Sequence, residues 1–166
     1  MPHSQLLSIT FHYVGMPETP FPGIHGLTTI QFREAITGLM SDWSLVSIND
    51  IVKTLDGKGS LPEKACLISL DDGLRCQFEV ALPILDDLHA PGAFFVLGTP
   101  YIKAKAAAVH QLHYIRANHG DQLLIDIIDE IVAKDSHLKC VDSVDQTTAL
   151  QHYRYDSPAS AKLKYY

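Results

Sequence analysis

Asp71 and Asp72 are adjacent carboxylates that follow the apolar run Cys66-Leu67-Ile68-Ser69-Leu70 and precede Gly73. A short apolar run of this kind reads as a buried strand. Such a strand delivers two negative charges to one tip of a sheet, where α/β proteins keep their ligand sites. Like charges this close repel, so both stay ionised only beside a cation or hydrogen-bond donors. A divalent metal is the simplest such partner. The plain alternative is a solvated strand-end turn, because Asp-Gly is ordinary turn chemistry.

Other residues could join the pair. His12 lies near the end of a first apolar segment, Leu6 to Val14. It falls on the same sheet edge as the carboxylates if the two strands run parallel. There it would serve as a ligand, an orienting group or a substrate contact, or else be a half-buried strand histidine with a hydrogen-bonded ring. His110 and His113, three residues apart, occupy neighbouring positions on an expected helix. They either bind a metal jointly or divide into one packed and one solvated ring. Cys76 reads as a small core residue rather than a ligand.

The elements that position these groups follow from the hydrophobic pattern. Leu6–Val14 is rich in β-branched and aromatic residues and reads as a first strand. After a Pro- and Gly-rich loop, Thr28 or Thr29 caps a helix through Phe32, Ala35, Ile36 and Leu39. Trp43–Ile48 is expected to be a second strand, and Asn49 to cap a short helix holding Ile51, Val52 and Leu55. The third strand ends at the acidic pair. Phe78–Leu88 is amphipathic, with Pro83 set to bend or break it. Ala93–Gly98 is a fourth strand. Strand-then-helix order repeated four times implies a parallel sheet with right-handed crossovers. Beyond it, Ala104–Asn118 reads as a helix. Leu123, Leu124, Ile127, Ile128 and Ile131 stripe another, as a core or interface face. A further helix begins at Pro158.

Composition limits the partners. The 166 residues are enough for one domain with a real core, and 46% hydrophobic with 19% charged is ordinary for a globular chain. A net charge of −6 argues against nucleic acid or an anionic membrane surface as the main partner. No apolar stretch reaches membrane-spanning length. The start, Met1-Pro2-His3-Ser4-Gln5, lacks the basic and apolar regions of a signal peptide. Cys66, Cys76 and Cys140 form no metal-type pair and read as reduced thiols. Together these give the expectation of a cytoplasmic protein.

Six pieces of the chain, in order, resemble the polysaccharide deacetylase family (carbohydrate esterase family 4, the NodB-homology domain). They are Ile9-Thr10-Phe11-His12-Tyr13-Val14, Phe32-Arg33-Glu34, Val46-Ser47-Ile48, Ile68-Ser69-Leu70-Asp71-Asp72-Gly73, Ala81-Leu82-Pro83-Ile84-Leu85 and Ala93-Phe94-Phe95-Val96. The stretch Val109-His110-Gln111-Leu112-His113-Tyr114 and the tail Tyr153-Arg154-Tyr155-Asp156 look like a subgroup with a helical insertion, found among surface-polysaccharide biosynthesis functions. The resemblance implies an α/β fold: the N-terminal part of a distorted (β/α) barrel, about four parallel strands with helices, followed by a helical segment. Residues 1–100 would form the barrel half and 101–166 the insertion-like segment. It also implies a metal-dependent hydrolase that removes N- or O-acetyl groups from an acetylated carbohydrate. Asp71 would be the general base, Asp72 a ligand to a divalent metal such as zinc, and Gly73 the tight turn beside them. Apart from the resemblance, Tyr153, Tyr155, Tyr165 and Tyr166 could stack on sugar rings, or pack against structure beyond this chain or against a partner.

The chain also departs from that family. Its metal site uses a His-x-x-x-His pair, and none of the nine histidines here has another four positions away. The later family motifs are missing as well. The implied reading is the N-terminal half of a longer deacetylase fold, incomplete or inactive as given. A second reading is a non-catalytic deacetylase-like module that binds carbohydrate or a partner chain. A third is a nucleotide-sugar glycosyltransferase, where Asp-Asp-Gly also follows a strand. Leu74-Arg75-Cys76 after the glycine does not suit it. Four strands cannot close a barrel, so exposed sheet edges predict a homo-oligomer.

Overall fold

The computed structural model describes residues 5–15 and 24–134. Cys140, the tail tyrosines and the helix expected from Pro158 lie outside the described residues. Those described fall into two compact units, one of residues 5–15 and 25–107, the other of residue 24 and residues 108–134.

The first unit is α/β. In chain order it runs β1 (Gln5–Phe11), α1 (Thr29–Asp42), β2 (Ser44–Leu45), α2 (Ile48–Leu55), β3 (Lys64–Asp72), a π-helical turn (Gln77–Ala81), α3 (Leu82–Asp87), β4 (Gly92–Val96) and α4 (Thr99–Lys103). All strand pairings are parallel, as the strand-then-helix order requires. β3 is the centre. β1 runs beside it from Gln5↔Lys64 to Phe11↔Leu70. β2 pairs with its start, at Ala65 and Cys66, and β4 with its end, from Ile68↔Gly92 to Asp72↔Val96. Since β1 fills one edge, β2 and β4 share the other.

This position explains the continuous apolar run. Ala65 to Leu70 are all buried, so no polar alternation marks a wet face. Cys66, Ile68 and Leu70 enter a core with Val14, Phe32, Ile36, Ala81, Ile84 and Leu85. Phe11 meets Phe32 edge-on, with centroids 5.0 Å apart and planes at 88°. Such a pair contributes about 0.5–1.5 kcal/mol beyond its buried area. Across the outside of the core, Arg33 on α1 pairs with Asp87 on α3 at 2.7 Å. Both side chains are largely exposed, so this bridge contributes little.

The second strand is shorter than expected, Ser44–Leu45 rather than Trp43–Ile48. Ser47 ends it by becoming the cap of α2 in place of Asn49. The Ser47 hydroxyl accepts from the Asp50 N–H, and the Asp50 carboxylate accepts from the Ser47 N–H and hydroxyl. This capping box removes Ser47 from any ladder. The same bonds hold the Asp50 carboxyl below the usual carboxylate range. Thr28, not Thr29, caps α1 through the same device with Gln31.

Pro83 has the expected effect on the helix. It sits in the first turn of α3, directly after the π-helical turn. Leu82 N–H reaches back to Gln77 O across five residues. Proline cannot donate to the turn behind it, and a widened turn is one way a helix accommodates that.

The second unit is α5 (Ala108–Lys134), kinked at Gly120 with φ 78° and ψ 168°. The kink separates the two helical stretches expected on either side. Arg116 and Asp121 bridge it with a bidentate pair, at 2.6 and 3.1 Å. Of the apolar stripe, Leu124 is buried, while Leu123, Ile127 and Ile131 are 42–50% exposed. Among the described residues, no helix is long and apolar enough to cross a membrane.

Among the described residues, the outer edges of β1 and β4 pair with no further strand. Phe94, Phe95 and Val96 on β4 are 38–56% exposed. A bare apolar edge templates pairing with another chain. We therefore expect concentration-dependent self-association in sedimentation velocity, reduced by Phe95→Lys. A strictly monomeric wild type at high concentration would contradict this.

Candidate functional site

Asp71 and Asp72 are the last two residues of the central strand, at its C-terminal end. The last ladder pair with β1 is Phe11↔Leu70, so His12 and Asp71 hold the next register positions. Parallel pairing thus brings His12 and the acidic pair to one end of the sheet. His12 is exposed; Asp71, Asp72 and Gly73 are half-buried.

The backbone turns sharply here. Asp72 has φ 83° and Gly73 φ 68°. A positive φ is uncommon outside glycine, although Asp tolerates it better than most residues. A Cβ on Gly73 would lie 2.7 Å from Val96 Cγ1 and 3.3 Å from Val96 Cα. Glycine is therefore required twice, by conformation and by the approach of β4.

Sequence reasoning missed the residue that ties this end together. Gln77 is 1% exposed. Its Nε2 donates to the backbone oxygen of His12 at 2.9 Å and to that of Asp71. Its Oε1 accepts from the Leu74 N–H at 3.3 Å. The available signal was weak: a lone glutamine shortly after the acidic pair, beside a helix read as starting at Phe78. Tyr13 was missed too. Its phenol is pushed up to about 12, first by burial and then by the charges of Asp72 and Cys76. Behind the pair, the Thr10 and Ser69 hydroxyls are hydrogen-bonded across β1 and β3 at 2.8 Å. Cys66 and Cys76 are free thiols, with burial raising that of Cys66.

His110 and His113 lie on α5 in the second unit, their rings edge-on with centroids 6.2 Å apart. Among the described residues, no group of three His, Cys, Asp or Glu side chains is placed to hold a metal ion. Catalytic zinc normally takes three protein ligands. The described residues therefore do not make a complete metal centre, either at the acidic pair or at the histidine pair.

Gly73→Ala should cost about 1–3 kcal/mol in denaturant unfolding, since it adds both strain and a clash with Val96. For Tyr13 the folded state holds the phenolic proton more tightly than the unfolded chain does. Its contribution is complete below pH 10.0 and is lost as pH rises toward about 12. The stability of the wild type should therefore fall relative to Tyr13→Phe across that interval. Parallel alkaline unfolding curves would show that the phenol is not perturbed.

No profile of a known protein family matches the chain, and no curated protein matches it. Solved structures do. A de-N-acetylase from Aggregatibacter actinomycetemcomitans matches with a TM-score of 0.51 at 24% identity, over 59% of this chain and 39% of that one. IcaB from Ammonifex degensii matches with a TM-score of 0.50 at 22% identity, over 59% of this chain and 40% of that one. The chain spans about two fifths of the length of either structure. At these identities the likeness is one of fold: the four-stranded parallel sheet with its helices matches part of the α/β fold of those two structures.

Proposed function

We propose that this chain supplies one side of a site that hydrolyses acetyl groups on a carbohydrate, with Asp71 as general base and Asp72 as one ligand of a divalent metal such as zinc. The observation that carries this is the pair of adjacent carboxylates at the C-terminal end of the central strand, in a fold shared with a de-N-acetylase. In such a reaction the Asp71 carboxylate takes a proton from water as the water oxygen adds to the acetyl carbonyl. The tetrahedral adduct then collapses, the bond to the sugar nitrogen or oxygen breaks, and the leaving atom takes up a proton as acetate departs. General-base assistance of this kind contributes about 10²–10⁴-fold to rate. A centre with three protein ligands would need at least one from outside the described residues.

A second reading is a deacetylase-like module that binds carbohydrate or a partner chain without turnover. None of the nine histidines in the sequence has another four positions away, the spacing of the metal pair in the resembled family, and this favours it. Acetate release from an N-acetylated chito-oligosaccharide, measured together with bound zinc, separates the two. The hydrolase reading expects stoichiometric zinc and release that Asp71→Asn lowers by about 10²-fold or more. Oligosaccharide binding with neither zinc nor acetate release would establish the second reading and reject the first.

A further inference from the structure

We propose that Gln77 is a positioning residue whose buried carboxamide sets the spacing of the β1 and β3 ends, and with it the placement of Asp71, Asp72 and His12. The inference rests on the proposed role of the two carboxylates. It deepens that role by naming what holds them.

The parallel ladder between β1 and β3 ends at Phe11↔Leu70. One position further on, the carbonyls of His12 and Asp71 are bound by the same atom, Gln77 Nε2. Both hydrogens of the amide nitrogen are used, so a single rigid group fixes two strand ends with respect to each other. On the other side of the turn, Gln77 Oε1 receives the Leu74 N–H. The backbone repeats the link, with Gln77 N–H donating to Leu74 O at 2.9 Å. Asp71 O before the turn and Leu74 N–H after it are thus held by one side chain, and Asp72 and Gly73 lie between them.

That bracket accounts for the conformation of Asp72. A non-glycine residue at φ 83° persists only where its surroundings over-determine it. Val96 constrains the turn from the β4 side, and Gln77 from the helix side. The residue type matters as well. A buried polar group must be hydrogen-bonded, and this amide uses three of its four bonding positions. Glutamate has nearly the same shape, but when ionised it has no hydrogen to give the two carbonyls. Leucine would leave both carbonyls and the Leu74 N–H without this partner.

Gln77→Glu is the discriminating variant, and Gln77→Asn keeps the donors on a shorter arm. The readouts are the carboxyl ¹³C resonances of Asp71 and Asp72, the Leu74 amide resonance, and hydrogen exchange along Ala65–Ile68. We expect the three site resonances to move in Gln77→Glu while the central strand keeps its protection, and Gln77→Asn to restore them in part. If the wild-type chain releases acetate, kcat in Gln77→Glu should fall about 10–100-fold with KM changed less than threefold, as misplacement of reacting groups produces. Unmoved site resonances in a folded Gln77→Glu would overturn the inference. So would loss of strand protection in step with the site shifts in both variants, because Gln77 would then be a general core residue. If Gln77→Glu does not fold, the same readouts on Gln77→Asn decide. A wild type without acetate release defeats the proposed function alone; the resonances still settle whether Gln77 holds the carboxylates.

Discussion

A strand paired along both edges and buried over six consecutive residues must leave cover where the next charge appears. β3 has β1 on one edge and β2 and β4 on the other. An ionised carboxylate cannot follow Leu70 into that interior without a large desolvation cost. Asp71 and Asp72 therefore mark the place where the central strand emerges from cover. The remaining features of the site are measured from that point. Val96 meets Gly73 because β4 pairs through Asp72, and Gln77 meets two carbonyls because β1 and β3 share a register.

Much of this was legible in the sequence, for identifiable reasons. The apolar run before Asp71 lacks polar alternation, which is the signature of a strand covered on both faces. Four strand-then-helix units leave few topologies other than a parallel sheet. Parallel strands in turn place His12 and Asp71 at the same end. Pro83 announced the irregular turn before α3. The positions of Asp71, Asp72, Gly73 and His12 at one sheet end were thus a consequence of pattern alone.

What was not legible involved partners distant in sequence, or competition between local signals. Ser47 sits in a stretch that reads as β-strand, yet its side chain closes a capping box with Asp50 and begins a helix two residues early. Gln77 carries no local signal, because its partner at His12 is 65 positions away. Tyr13 read as one more strand aromatic, and nothing local indicated that Asp72 would lie near its phenol. Side chains that act on a distant backbone leave no periodic trace, whereas side chains that fill a core do.

The β1–β3 pairing also bears on how the chain reaches this structure. Thr10 and Ser69 are 59 residues apart, and every residue pair of that ladder has the same separation. Loop closure on this scale precedes any reward from the contacts it makes, so folding is expected to be slow relative to helical proteins. On a ribosome adding about 5–20 residues per second, β1 would wait roughly 3–12 s for β3 to be made. During that interval Leu7, Ile9 and Phe11 have no native partner strand. The first strand is thus the segment most in need of protection during synthesis, and the central strand the one whose arrival commits the sheet.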